Sequence, residues 1–227
     1  KTGQEYSYEM RLLGRTKYND ISCERCLLIE PNGTSNIFLF SEEITVTDEE
    51  DRETSHQIYV GFFYDAAEVR LITNEIRNIH CFFPTDNTFN TCFITHAPFL
   101  LTENRTSLNN ANEECREFNK QLIVLLAKLA ARAIVILRDY GIKHKHLLID
   151  ENITEIIKSY RPNFSGQFHP LFQQPFIDAF RQLLKTEPLL LSRNNKYLHR
   201  INTYFTRDSV YELLDSKQFQ TLRGNDA

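Results

Sequence analysis

The stretch CFFPTDNTFNTCFITHAPFLLTENRTS, from Cys81 to Ser107, is the part of the chain around which the rest is arranged. Two apolar runs, Ile79 to Phe83 and Thr91 to Ile94, carry the β-branched and aromatic side chains that suit a pleated surface, and Pro84-Thr85-Asp86-Asn87 divides them. They read as neighbouring strands. His96 to Thr102 then form a connection, and the polar segment Glu103 to Ser107 opens a long helix that Thr106 or Ser107 is placed to cap. This predicts Arg105 in a loop at the edge of a packed layer. The simplest alternative for Arg105 is a surface cation paired with Glu103 or Glu113. His96, just before Pro98, reads as a hydrogen-bonded packing residue rather than a base.

On the N-terminal side, Tyr6 to Leu12 alternates as a strand does, and Gly14 to Asn19 reads as a turn or loop. Asp20 to Glu30 and Asn36 to Phe40 form a strand pair joined through Pro31-Asn32-Gly33, where Asn and Gly tolerate positive φ. The charge run Thr47 to Thr54 is a solvated loop that lacks the spaced oxygen ligands and turn glycine of a calcium site. His56 to Tyr64 places Ile58, Val60 and Phe62 on one face and Gln57, Tyr59, Gly61 and Phe63 on the other, which predicts a central strand with close packing or a bulge at Gly61. Ala66 to Arg77 is undecided between strand and short helix.

Downstream, apolar positions 118, 122, 125, 126, 129, 133, 137 and 140 make a helical stripe that widens in its second half, and Gly141 stands where a C-terminal cap belongs. Lys143-His144-Lys145-His146 is a polar connector favoured by the helix dipole. Asp150 caps a further short helix. Arg161 to Pro175, with three prolines, is expected to be irregular and to separate a domain over 1–160 from a smaller, mainly helical part over 161–227. Phe176, Phe180, Leu183 and Leu184 form the apolar face of another helix ended by Pro188. Leu189 to Leu191 pairs with Lys196 to His199, and Asp208 caps a last helix. The class is α+β, a mixed or antiparallel sheet with a long packed helix.

Composition narrows the function. Thirty acidic against 26 basic residues give a net charge of −4, which argues against a dedicated nucleic-acid binder. No run approaches the roughly 18 to 20 apolar residues that span a bilayer, and five cysteines without an apolar leader suit a reducing cytoplasm. Cys23-Glu-Arg-Cys26 has metal-ligand spacing, but no second such pair follows; His80, Cys81, Cys92 and His96 would complete a site only if the fold gathered them. Local signatures of a nucleophilic serine or a zinc protease are absent.

The run FFPT (82–85), then HAPFLLTENR (96–105) and a helix carrying Asn119-Lys120, resembles the segment that follows the nucleotide-binding domain in bacterial and sacsin-type relatives of the ninety-kilodalton heat-shock chaperone, members of the GHKL ATPase superfamily. The resemblance covers Ile79 to Lys120 closely and Tyr6 to Tyr140 loosely. It implies a middle, or transducer, domain with a left-handed β-α-β crossover, in which Arg105 contacts the γ-phosphate of ATP held with Mg²⁺ by an upstream domain. It also implies that domain, and a second copy in a homodimer, as partners. The seven glycines, at 3, 14, 33, 61, 141, 166 and 224, are too scattered for a phosphate-binding loop, so the ATP pocket is expected outside this chain. A start at Lys1 rather than methionine suggests a segment of a longer protein, not catalytic by itself.

A second class of function stays open. Arg181, Lys185, Arg193, Lys196, Tyr197, Arg200 and Tyr204 mix cations and aromatics as surfaces for single-stranded nucleic acid do, which allows an α+β binding module for protein or nucleic acid.

Overall fold

Strict alternation of large apolar side chains at 58, 60 and 62 produces the strand on which the fold is built, β4 (Glu53–Asp65). The structure, a computed structural model, describes residues 9–30, 33–47, 52–68, 70–145, 170–192 and 196–202. Around β4 lie β1 (Glu9–Tyr18), β2 (Ile21–Glu30), β3 (Gly33–Thr47), β5 (Arg70–Leu71), β6 (Ile79–Cys81), β7 (Phe83–Pro84) and β8 (Ile94–His96), in the order β1-β2-β3-β4-β8-β6-β7 with β5 also paired to β4. All pairings are antiparallel except β6 with β8. β4 is central, as its two apolar faces predict.

One face of the sheet carries the main core. Phe38 and Phe40 from β3 and Ile58, Val60 and Phe62 from β4 pack beneath helix α1 (Glu113–His144), whose Leu122, Ile123, Leu126, Leu129, Ala130, Ala133, Ile134 and Leu137 are fully buried. Helix α2 (Pro170–Thr186) covers α1 and adds Phe172, Phe176 and Phe180 to the same core. Burial on two sides explains why the α1 stripe widens in its second half. The other face holds a smaller cluster of Cys26, Ile37 and Phe63. There Gly61 is the close approach foreseen: a Cβ would lie 2.7 Å from the Ile37 Cδ1 atom.

The α+β class, mixed sheet and long packed helix are as the sequence predicts. β9 (Leu190–Leu191) and β10 (Tyr197–Leu198) form the expected short antiparallel pair, and a 3-10 turn (Arg200–Asn202) follows. β9 pairs with β10 rather than with the large sheet, and no helix lies between parallel β6 and β8, so a β-α-β crossover is absent among the described residues. Ala66 to Arg77 resolves into turns around short β5.

Several boundaries differ from the sequence reading. Gly14 to Tyr18 is strand, not loop: β1 continues past a bulge between Leu12 and Gly14, and the turn falls at Asn19, at φ 55°. α1 starts at Glu113, not near Ser107. Leu108 is buried and bridges to Leu101, and the Asn112 Oδ1 accepts the Cys115 N–H at 2.8 Å as the true cap. At its far end the helix runs through buried Gly141 to His144, and Lys145, at φ 58°, takes the left-handed capping position. Pro170 to Pro175 is helical rather than irregular. Proline is tolerated in a first turn, and the burial of Phe172, Phe176 and Phe180 offsets the roughly 3 kcal/mol that Pro175 costs inside a helix. The expected helices begun by Asp150 and Asp208 lie outside the described residues, as do most of the charge run after Thr47 and residues 161–169. No helix among the described residues is long and apolar enough to cross a membrane.

Candidate functional site

Arg105 stands at the tip of a tight loop closed by the Leu101–Leu108 bridge. Inside the loop, Thr102 Oγ1 donates to Asn104 Oδ1 at 2.7 Å and to the Ser107 carbonyl at 3.1 Å, while Asn104 Oδ1 also accepts the Thr106 N–H at 3.2 Å. The Arg105 N–H donates to the Thr102 carbonyl at 2.8 Å, which bends the chain so that Arg105 sits at φ 59°. A non-glycine residue in that region is strained, and such strain persists only where surrounding contacts over-determine it.

Those contacts come from two asparagines and a turn. Asn119 is fully buried within the apolar stripe of α1. Its Oδ1 accepts the Leu100 N–H at 2.8 Å, and its Nδ2 donates to the carbonyls of Leu100 at 2.9 Å and Asn109 at 3.0 Å. One carboxamide therefore pins both ends of the loop to the helix. From the other side, Asn87 Oδ1 accepts the Leu108 N–H at 2.7 Å and the Asp86 N–H donates to the Thr106 carbonyl at 2.7 Å. The loop is thus fixed to the Pro84–Asn87 turn and to α1. The Arg105 side chain is exposed and has no carboxylate partner among the described residues; of Glu103 and Glu113, which the alternative reading pairs with it, Glu113 is held by Arg116 and Glu103 forms no ion pair with it. An always-charged guanidinium on a clamped loop is suited to meet a phosphate oxygen through paired N–H donors. Thr106 and Ser107 shape this loop rather than cap a helix.

Beside the loop, β8 and β6 place His96 and His80 opposite each other. His96 Nε2 accepts the Phe82 N–H at 3.2 Å, so the ring proton belongs on Nδ1, which is buried without a partner among the described residues. Burial lowers the pKa of both histidines, and for His80 the nearby His96 adds to it. His96 is the packing residue expected, with Phe82 as the partner that the sequence did not name. Phe82 itself is at φ 63° and, like Phe83, largely exposed.

The thiol and imidazole groups do not converge on a metal. Cys23 and Cys26 are three apart on a strand, so they point to opposite faces: Cys23 lies in the main core and Cys26 in the small cluster. No group of three or more His, Cys, Asp or Glu side chains among the described residues is arranged to hold an ion. Burial pushes the Cys23 and Cys92 thiols up to about 12. The late basic and aromatic residues are spread over α2, β10 and the 3-10 turn. Arg181 lies 4.0 Å from Asp178 and Tyr197 packs against the core, while Arg193 and Tyr204 fall outside the described residues.

The structural roles of Asn87 and Asn119 were missed from sequence. The available signal was an amide in the middle of an apolar helical stripe, a position that is retained only when its hydrogen bonds are met. Comparisons with protein-family models, curated proteins and solved structures give no match.

Proposed function

We propose that the chain is the middle, transducer-type region of a chaperone-like ATPase of the GHKL superfamily. On this reading it is not catalytic alone, and Arg105 reads the γ-phosphate of ATP held with Mg²⁺ by an upstream nucleotide-binding domain. The observation that carries the proposal is the clamped, strained loop with an exposed Arg105 that has no carboxylate partner among the described residues. Bound ATP supplies the third phosphate and its charge. The chain's own part is to hold one guanidinium at a fixed position so that little ordering is needed when the phosphate arrives. Asn119 and Asn87 are positioning residues, since they act on Arg105 through the backbone of its loop. Their attachment to α1 gives a path by which a pull on the loop is felt along the helix and by α2 packed on it. Five free thiols suit a reducing compartment, so we place the protein in the cytoplasm, working as a homodimer.

The test is ATP turnover by the parent protein. Arg105→Ala is expected to slow it at least about tenfold, with the arginine-finger range of about 10³–10⁵ as a ceiling. Arg105→Lys keeps the charge but loses the planar fork and should fall between the two. Turnover by Arg105→Ala equal to wild type would remove Arg105 from the mechanism.

A further inference from the structure

A second basic site lies at the opposite end of α1, between its last turn and strands β1 and β2. A cleft of about 270 Å³ opens there, with Arg25, Lys143, Tyr18 and Tyr140 among its walls. Arg25 owes its place to Gly14, its partner across the β1–β2 pair. Without a Cβ the glycine leaves room for the guanidinium, whose Nη2 would lie 3.1 Å from such an atom. The guanidinium also stands 6.0 Å from the centre of the Tyr140 ring. Arg25 and Lys143 have no carboxylate partner among the described residues. The neighbouring acids already hold other cations: Glu24 pairs with Arg15, itself a wall of the cleft, and Asp139 with Arg138 at 2.9 Å. A half-buried arginine and a lysine thus face one concave space with no carboxylate paired to either among the described residues, which favours positive potential there.

We propose that this cleft binds a small phosphorylated ring compound, its phosphate between Arg25 and Lys143 and its flat body against Tyr18 and the edge of the Tyr140–His144 pair, whose rings lie 4.2 Å apart. The guanidinium offers paired donors to two phosphate oxygens, and the ammonium adds a point charge. Burial raises the Tyr18 pKa, so its hydroxyl keeps a proton to donate. Cys23 lines the same cleft, but with its pKa pushed up to about 12 it stays a thiol, and the site binds rather than reacts. The volume suits one ring with one phosphate and is small for a drug-sized ligand.

The test titrates the chain itself, with no nucleotide domain present, so its result is independent of the role of Arg105. Amide resonances are followed against phenyl phosphate, inorganic phosphate and phenol. Phenyl phosphate should shift Gly14 and Lys143 and bind more tightly than inorganic phosphate, with phenol weakest. Arg25→Gln and Lys143→Gln should each weaken phenyl phosphate at least about tenfold, the low end of the effect of losing a charge-assisted hydrogen bond. Lys143 is exposed, so its variant tests the site even if Arg25→Gln fails to fold. Lys120→Gln, about 35 Å away along the same helix, should bind as wild type does. Phenol binding as tightly as phenyl phosphate, wild-type affinity in Lys143→Gln, or no shift at Gly14 and Lys143 would each overturn the proposal.

Discussion

Replacing Asn119 by alanine removes a carboxamide that makes three hydrogen bonds in a fully buried position. The cost follows from counting what is left without a partner. The Leu100 carbonyl keeps the Asn109 N–H at 2.8 Å, so it is not orphaned. The Leu100 N–H and the Asn109 carbonyl lose the partner that Asn119 provided. An unsatisfied polar group costs about 1–3 kcal/mol when buried, and these two are only partly buried, so water meets part of their need and the pair costs about 2 kcal/mol, still a fair share of the roughly 5–15 kcal/mol that holds a domain folded. With a urea slope of about 3 kcal/mol/M for a chain of this size, the unfolding midpoint should fall by about 0.7 M. Amide exchange at Leu100 should accelerate by more than the global loss of stability explains, because its acceptor is gone. A midpoint shift below about 0.3 M, equivalent to about 1 kcal/mol, together with unchanged protection of Leu100, would refute the idea that Asn119 clamps the loop.

Three further outcomes follow from the same contacts. Arg105→Gly relieves a left-handed backbone strain worth about 1–2 kcal/mol but adds unfolded-chain entropy of about 0.5–1 kcal/mol, so thermal melting should show a variant at least as stable as Arg105→Ala. Burial lowers the pKa of His80 and His96 in the folded chain, so the unfolded chain takes up their protons at higher pH. Their contribution is therefore complete above about pH 6.5 and is lost as pH falls toward the folded values, and melts between pH 7.5 and 5.5 should show less acid sensitivity in His96→Gln than in wild type. Phe176→Ala should cost about 3–5 kcal/mol and leave a single unfolding transition seen alike by probes on α2 and on the sheet, because Phe176 packs on Phe89 and Phe93; two separate transitions would contradict a shared core.

The parts legible in the sequence are those where one local rule decides. β4 was readable because alternation over Ile58, Val60 and Phe62 has one interpretation, and Gly61 because a glycine within such a run marks a close neighbour. The β9–β10 pair was readable from the Asn194-Asn195 punctuation. The parts that were not legible depend on distant partners. Ser107 has the chemistry of a helix cap, but Leu108 is drawn into the core and bound by Asn87, 21 residues earlier, so the helix waits for Asn112. Pro170 and Pro175 read as breakers until the phenylalanines they accompany find a core to fill. Cys23-Glu-Arg-Cys26 resembles a chelating pair only until strand geometry turns the two thiols to opposite faces. The position of Arg105 in a loop was readable, and the clamp beneath it was not, because it takes an amide from α1 and another from the 84–87 turn to make it.

The central claim is that Arg105 distinguishes a nucleotide with a third phosphate from one without. The most direct measurement is the ratio of affinities for a non-hydrolysable ATP analogue and for ADP in the parent protein, wild type against Arg105→Ala. Loss of a charge-assisted hydrogen bond worth about 1.5–3 kcal/mol should reduce the preference for the analogue by about 10- to 100-fold while ADP affinity stays as it was. An unchanged ratio, or an equal loss for both nucleotides, would contradict the claim.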